Sequence, residues 1–192
     1  MPTYALSTSS VGTPLVGVWL IGARGSVATT AIAGCAAVAA GLHAPVGMVT
    51  ETPPFADCGL PTLSSLVFGG HDTANCPLPK RAEELAAGGV LPYGLPSAVH
   101  SELAAADTEI RPGGPLPGDT RTDEQLIDTF ASDLRDFIRR RGLSRLVVIN
   151  VASTEPLWAG GGGVPGVAPV GANGTAAGAA STGARSAADG GA

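Results

Sequence analysis

Apolar runs alternate with helix-forming segments along this chain, and the lengths of both indicate its elements. Four apolar runs have the length of strands buried in a parallel sheet: 16–21, 46–50, 66–68 and 146–149. Three segments between them are typical of helices: 26–40, 80–87 and 97–107. Because strands alternate with helices, the pattern predicts an α/β fold with a doubly wound, Rossmann-like parallel sheet.

The clearest helix signal lies between Thr122 and Gly142. Thr122 and Gln125 have the spacing of a capping box, and Gly142 is a residue type that commonly ends helices. An apolar stripe at helical spacing follows the cap: Leu126, Phe130, Leu134, Phe137 and Ile138. We therefore predict a long amphipathic helix that leads into the strand at 146–149, which brings 150–155 to the carboxyl edge of the sheet.

The first strand ends in a turn that has the features of a dinucleotide-binding turn. Gly22 and Gly25 permit a tight turn, and Ser26 begins a helix whose free backbone N–H groups can face a pyrophosphate. The G-x-G-x-x-G fingerprint is incomplete, because Arg24 replaces its second glycine and Ala28 its third. A predicted βαβ unit of roughly 35 residues surrounds the turn and supports this interpretation. We expect six consecutive residues around the pyrophosphate: Gly22, Ala23, Arg24, Gly25, Ser26 and Val27.

Glu51 is a candidate for binding the cofactor's ribose. It directly follows the strand predicted at 46–50, where a carboxylate can accept hydrogen bonds from ribose hydroxyls and disfavour a 2′-phosphate. This position favours NAD over NADP. The alternative interpretation is an ordinary solvated residue at the end of a strand.

Other candidates follow the later strands. Asp72 comes after two glycines at 69–70, which indicates either the rim of a cofactor crevice or a simple turn. Ser153 and Thr154 follow the last predicted strand and complete the expected cofactor site. Arg24 has two open interpretations, contact with a phosphate oxygen or exposure to solvent.

Composition and charge limit the function classes. The 192 residues are 44% hydrophobic and 14% charged, which is typical of one globular domain. A net charge of −5 argues against a nucleic-acid partner, because binding a phosphate backbone needs clustered basic residues. The one basic run, 139–141, lies at a predicted helix end, where cations complement the helix dipole.

Cysteine usage and the apolar segment at 27–42 bear on localisation. Cys35, Cys58 and Cys76 are widely spaced and odd in number, so a disulfide framework is not expected and a reducing cytoplasm fits. The spacing of Cys58, His71 and Cys76 matches no standard zinc pattern, and we predict no metal. The 27–42 run of roughly 16 residues is too short to span a bilayer, so no membrane association is expected.

The composition also divides the chain. Residues 1–15 are predicted to form a flexible leader, and 16–156 the Rossmann-like domain. Residues 157–192 are dominated by Gly and Ala without an apolar period. Such a segment buries too little surface to offset its ordering entropy, so we expect it to be disordered.

Three segments together resemble the inositol-3-phosphate synthases, also called myo-inositol-1-phosphate synthases. GARGSVAT at 22–29 is similar to the family's turn G-x-G-G-x-N-G-[ST], and LVFGGHD at 66–72 to its V-F-G-G-W-D element. LVVINVASTE at 146–155 resembles a family strand that ends in T-A-N-T-E. Arg24, His71 and Ser153 depart from these patterns. The resemblance covers about 16–156 and no residue beyond it.

The resemblance implies an NAD-dependent isomerase of inositol and phospholipid biosynthesis. The family converts glucose 6-phosphate to inositol 3-phosphate by oxidation at C5, enolisation at C6, aldol closure onto C1 and reduction of the inosose. NAD is regenerated within each turnover. The family's catalytic lysines lie in a second domain, which also builds the homo-oligomer. Lys80 is the only lysine here and matches none of them, so no catalytic residue is assigned.

We therefore expect an incomplete, Rossmann-like NAD-binding fragment that lacks synthase activity. A frameshift in a GC-rich gene would explain the change of character after residue 156. Two alternatives remain open: another NAD(P)-dependent oxidoreductase, or an NAD-binding module without catalysis.

Overall fold

The computed structural model of the protein describes residues 13–55, 58–115 and 118–152. These residues form an α/β fold with one four-stranded parallel sheet. The strands are β1 (Val16–Ile21), β2 (Leu66–Asp72), β3 (Ile110–Pro112) and β4 (Arg145–Asn150). The helices are α1 (Ser26–Ala39), α2 (Leu78–Ala87), α3 (Leu95–Ala98), α4 (His100–Asp107) and α5 (Asp123–Arg141). Three short 3₁₀ turns lie between α1 and β2: Val49–Glu51, Pro53–Phe55 and Leu63–Ser65.

The strand order is β3-β2-β1-β4, so β1 lies between β2 and β4. The register pairs Ile21 with His71 on one side and with Asn150 on the other. The carboxyl ends of the three longer strands therefore meet at one edge of the sheet. The chain passes from β1 to one side and later returns to the other, and such a switch point is where open α/β sheets bind ligands.

Helices cover both faces of the sheet, which confirms the doubly wound, Rossmann-like class. Alternate residues of β1 face opposite sides, as strand geometry requires. Leu20 packs with the buried residues of α1, α2 and α4. Trp19 packs on the other side with Phe137 of α5 and with Leu143. Each aromatic ring is almost fully buried, and such burial stabilises a fold by about 1.5–3 kcal/mol for a Phe-sized side chain.

Local sequence signals determine the two longest helices. Thr122 accepts a hydrogen bond from the backbone of Gln125 while the Gln125 side chain accepts one from Thr122, which confirms the capping box. Gly142 ends α5 in the left-handed conformation, at φ +60°. Gly41 has φ +69° and follows α1, close to the predicted end of that helix.

The basic run at the end of α5 also joins the helix to the sheet. Arg140 and Arg141 donate hydrogen bonds to the carboxylate of Glu109, at 2.8–3.0 Å, directly before β3. Glu109 is 4% exposed, and these guanidinium groups, Arg140 foremost, hold the pKa of its carboxyl below its usual value. Arg140 and Arg141 thus have a structural role through Glu109, which the helix-dipole interpretation of the sequence did not include.

The structure corrects three predicted elements. No strand forms at 46–50; this segment contains Gly47 at φ +82° and enters a 3₁₀ turn, and β2 takes the place beside β1. Residues 110–112, for which no strand was predicted, form the short strand β3. The last strand was predicted to be buried, yet its side chains at 147–149 are 41–51% exposed. Among the described residues, β4 is an edge strand with one neighbour, which explains this exposure.

Several predictions lie outside the described residues: Ser153 and Thr154, nearly all of the leader, and the disorder of 157–192. Within the described ranges, no helix is both long and apolar enough to cross a membrane. The same ranges contain no group of three or more His, Cys, Asp or Glu side chains arranged to hold a metal ion.

Candidate functional site

A crevice of about 380 Å³ lies at the carboxyl edge of the sheet, between the turn after β1 and the ends of β2 and β4. Its volume is within the range of small-molecule sites. It is lined by five of the predicted cofactor residues: Gly22, Arg24, Gly25, Ser26 and Val27. Asp72 lines it from β2, and Val151 and Ala152 from the end of β4. The structure thus brings together segments that are far apart in the sequence.

Gly22 has a conformation that a side chain would disturb. Its φ is +84°, and a Cβ atom added there would lie 2.8 Å from the Cα of Ala152. The backbone N–H groups of Gly22 and Ala23 both donate to the carbonyl of His71, at 2.9 and 3.2 Å. The turn is therefore fixed between β2 and the end of β4.

The amino terminus of α1 offers unpaired hydrogen-bond donors to the crevice. Gly25 is the N-cap and supplies no side-chain cap. Among the described residues, the first backbone N–H of α1 with an acceptor is that of Thr29, which donates to the carbonyl of Gly25 at 3.0 Å. The N–H groups of Ser26, Val27 and Ala28 are left for a ligand or water. The first turn of α1 contains no acidic residue that would offset the positive end of the helix dipole.

The guanidinium of Arg24 has partners within the fold, so it is not an ordinary solvent-exposed arginine, while its contact with a phosphate oxygen stays a prediction. Its Nε donates to Asp107 at 3.0 Å and its Nη1 to the carbonyl of Ala74 at 2.9 Å. The side chain is 16% exposed. Asp107 also accepts a hydrogen bond from the backbone of Leu78, at the start of α2. Arg24 therefore ties the turn to the ends of α2 and α4.

Asp72 occupies the end of the strand that neighbours β1. Its Oδ2 accepts from the backbone N–H of Arg24 at 2.6 Å, and its Oδ1 from that of Ala74 at 2.7 Å. A carboxylate has about four acceptor positions, so it retains capacity for a ligand hydroxyl. The position beyond the second strand is where Rossmann folds place the acidic residue that binds ribose. The glycines before Asp72 thus lie in the strand at the rim of the crevice, and not in a simple turn.

Glu51 lies elsewhere. It ends a 3₁₀ turn and lines a separate surface groove together with residues 44–49 and Thr52. The ribose role assigned to it depended on the strand at 46–50, which does not form. Asp72 takes the position that the sequence analysis gave to Glu51.

Sequence reasoning did not identify Arg81 as a site residue. It lies on α2 and lines the crevice, where its Nη2 donates to the hydroxyl of Ser26 at 3.1 Å. Its Nη1 donates to Glu84 at 2.9 Å. No local motif contains Arg81, because its partner in the crevice is 55 positions away.

His71, at the family's aromatic position, is a buried structural residue. It is 4% exposed, and its Nδ1 accepts a hydrogen bond from the indole N–H of Trp19 at 3.0 Å. Because Nδ1 is an acceptor, the ring proton is on Nε2, which donates to Asp133 at 3.0 Å. This chain of hydrogen bonds joins β1, β2 and α5 beneath the crevice. Among the described residues, His71, Cys58 and Cys76 do not form a group that could hold a metal ion.

A second, more apolar cavity of about 420 Å³ lies beside α1 and the first residues of β2. It is lined mainly by small and apolar residues and includes Cys35, whose thiol lies 3.6 Å from the carbonyl of Leu63. Burial raises the pKa of this thiol, which reduces its reactivity. We therefore place the candidate site in the crevice at the carboxyl edge.

The residues present fit the pyrophosphate of a dinucleotide. A Cβ added at Gly22 would meet the backbone of Ala152. A Cβ added at Gly25 would lie 3.1 Å from the carbonyl oxygen of Gly22. The glycines thus keep the backbone accessible, and the three unpaired N–H groups of α1 are donors of the kind that bind phosphate oxygens.

Comparison with known proteins agrees with this fit. A family model described as myo-inositol-1-phosphate synthase, NAD-binding domain, matches residues 16–113, just over half of the chain. The match includes β1, the glycine turn, β2 and β3. A search of curated proteins finds no match. The matched segment builds the β1–β2 side of the crevice. Since the match covers more than half of the chain, the chain belongs to the myo-inositol-1-phosphate synthase family, through that family's NAD-binding domain.

Proposed function

We propose that this chain binds NAD in the crevice at the carboxyl edge of its sheet. The observation that carries the proposal is the glycine turn at 22–25, which leaves the N–H groups at the start of α1 unpaired beside a cavity of suitable size. In this proposal the pyrophosphate binds to those N–H groups.

Asp72 is proposed to accept hydrogen bonds from the adenine ribose. Its carboxylate lies at the end of the strand next to β1 and lines the crevice. A 2′-phosphate at that place would put further negative charge beside the carboxylate, so NAD is expected to bind more tightly than NADP. Ser153 and Thr154, which follow β4 in the sequence, stay candidates and lie outside the described residues.

For the complete enzyme of this family, we propose the conversion of D-glucose 6-phosphate to 1D-myo-inositol 3-phosphate. Bound NAD supplies hydride acceptance and return. This chemistry also needs cations that hold the phosphate and a developing enolate. The described lining of the crevice contains two arginines and no lysine, and Lys80 is exposed on α2 outside it.

We therefore propose that the 192-residue chain binds NAD without converting glucose 6-phosphate. The second candidate function, beside the family reaction, is therefore that of an NAD-binding module without catalysis. The described lining of the crevice holds only two cationic side chains, which favours this module over another oxidoreductase activity. Appearance of inositol 3-phosphate with the purified chain, NAD and glucose 6-phosphate would overturn this part of the proposal.

The binding proposal is tested by titrating the purified protein with NAD by calorimetry. Gly22→Ala is the informative variant, because the added methyl meets the backbone of Ala152 and the residue needs φ +84°. Gly41→Ala is the matched control: Gly41 also has a positive φ, +69°, but an added Cβ meets no atom within 4 Å. Both variants bear a left-handed penalty of about 1–2 kcal/mol, so only the effect on the crevice differs.

We expect Gly22→Ala to weaken NAD binding about 10-fold or more and Gly41→Ala to leave it unchanged, as one misplaced phosphate contact costs about 1.5–3 kcal/mol. Wild-type protein should bind NADP more weakly than NAD, and Asp72→Asn should reduce that preference. Lack of NAD binding by the folded wild-type protein, or equal effects of both glycine variants, would refute the site.

A further inference from the structure

Three charged residues line the described part of the crevice: Arg24, Asp72 and Arg81. Two of them already have partners in the fold. Both carboxylate oxygens of Asp72 accept backbone hydrogen bonds, and Arg24 uses its Nε and Nη1 on Asp107 and Ala74. The third, Arg81, also has partners, but they are the exposed side chains of Ser26 and Glu84.

Arg81 lies beside the start of α1, although it belongs to α2. Its Nη2 donates to the Oγ of Ser26, and Ser26 is the first residue of α1. The guanidinium is therefore close to the unpaired N–H groups where the pyrophosphate is proposed to bind. Positive charge from the side chain and from the helix terminus is concentrated at the same place.

The present ion pair of Arg81 is weakly held. Glu84 is three residues farther along the same helix, and the two side chains are 34% and 46% exposed. Exposed pairs of this kind contribute little to stability, because water screens them and the side chains lose freedom. A guanidinium has five N–H donors, so Arg81 can retain Ser26 and still donate to an oxyanion.

We infer that Arg81 binds the pyrophosphate of the dinucleotide and that the Ser26 hydroxyl positions its guanidinium for this contact. The inference rests on the proposed function, and it assigns the phosphate-binding arginine to α2 instead of to Arg24 in the glycine turn. If Arg81 had a purely structural role, its surface contacts with Ser26 and Glu84 would be its whole contribution, and its loss would not affect phosphate binding.

The test compares Arg81→Gln with Arg139→Gln. Arg139 is the matched control, because it also forms an exposed ion pair three residues apart, with Asp136 at 2.7 Å, on α5. Calorimetry on the full chain measures the affinities for NAD, ADP and adenosine. Adenosine lacks the pyrophosphate and separates loss of a phosphate contact from general damage to the crevice. Thermal unfolding of each variant checks the fold.

We expect Arg81→Gln to weaken NAD and ADP binding about 10- to 100-fold, the range typical of a lost charge-assisted hydrogen bond. Adenosine binding should change less than about 2-fold, and Arg81→Lys should restore part of the affinity because it keeps the charge. Arg139→Gln should bind all three ligands like the wild type. The affinity of the Arg81→Gln variant for ADP should also depend less on salt than that of the wild type.

Two outcomes overturn the inference while the proposed function stands: NAD affinity of Arg81→Gln within about 2-fold of wild type, or an equal loss of adenosine affinity. Failure of the wild-type protein to bind NAD overturns the proposed function itself. The wild-type titration therefore separates the two failures.

Discussion

Replacing Gly70 with alanine should destabilise the protein strongly, because β2 passes very close to the end of β1 at this residue. An added Cβ would lie 2.2 Å from the carbonyl oxygen of Leu20 and 2.5 Å from the Cβ of Ala23. Close C···O contacts in proteins are about 3.3 Å, so the strands would have to separate by about 1 Å. The obstacle is backbone, which has no alternative rotamer.

The magnitude follows from two contributions. Overpacking of a well-packed interior costs about 1–3 kcal/mol. Separation of the strands also weakens the hydrogen bonds from Gly22 and Ala23 to the carbonyl of His71, and each such bond contributes about 0.5–1.5 kcal/mol. We expect a total loss of about 3–5 kcal/mol, which is a large part of the stability of a typical domain.

Gly69→Ala is the matched control on the same strand. Its added Cβ would be 3.1 Å from the ring of Trp19 and 3.2 Å from the Cβ of Glu109, contacts that side chains can relieve by a few tenths of an ångström. We expect it to cost about 1 kcal/mol. Urea unfolding followed by circular dichroism measures both free energies. A loss of less than about 1 kcal/mol for Gly70→Ala, or equal losses for both variants, would refute the reasoning.

Two further variants test ion pairs of the fold. Arg24→Gln should lower the free energy of unfolding by about 1–3 kcal/mol, because it leaves Asp107 and the carbonyl of Ala74 with fewer donors; an unchanged urea midpoint would contradict this structural role. Glu109→Gln should cost about 1–3 kcal/mol at pH 7. Since Arg140 and Arg141 hold the pKa of Glu109 below 4.5, the wild-type advantage should be complete above pH 4.5 and decline as the pH falls through the lowered pKa. Urea unfolding of both proteins across this range measures the difference, and a pH-independent difference would exclude the ion pairs as its source.

Much of the fold is predictable from the sequence because its signals are local. The capping box at Thr122 and the glycine stop at Gly142 act within one or two turns of α5, and both occur in the structure. The apolar runs predict β1, β2 and β4 for the same reason. The glycine turn at 22–25 is equally local, since conformational freedom and helix initiation are properties of adjacent residues.

The failed predictions concern competition between distant segments. The run at 46–50 has the apolar character of a strand, but only one segment can pair with that side of β1, and β2 occupies the place. Gly47, at φ +82°, further disfavours an extended strand there. The three residues of β3 contain no apolar run, and their pairing depends on β2 being next to them. Glu51 lost its proposed role together with its strand.

The sequence by itself determined the glycine turn, the main helices and three of the four strands, because hydrophobic periodicity and capping act over short distances. Only the tertiary structure decided which groups meet at the crevice. Arg24 and Asp107 are 83 positions apart, and Arg81 and Ser26 are 55 apart. Such pairs leave no periodic trace in a single sequence, because strand order and helix packing bring them together.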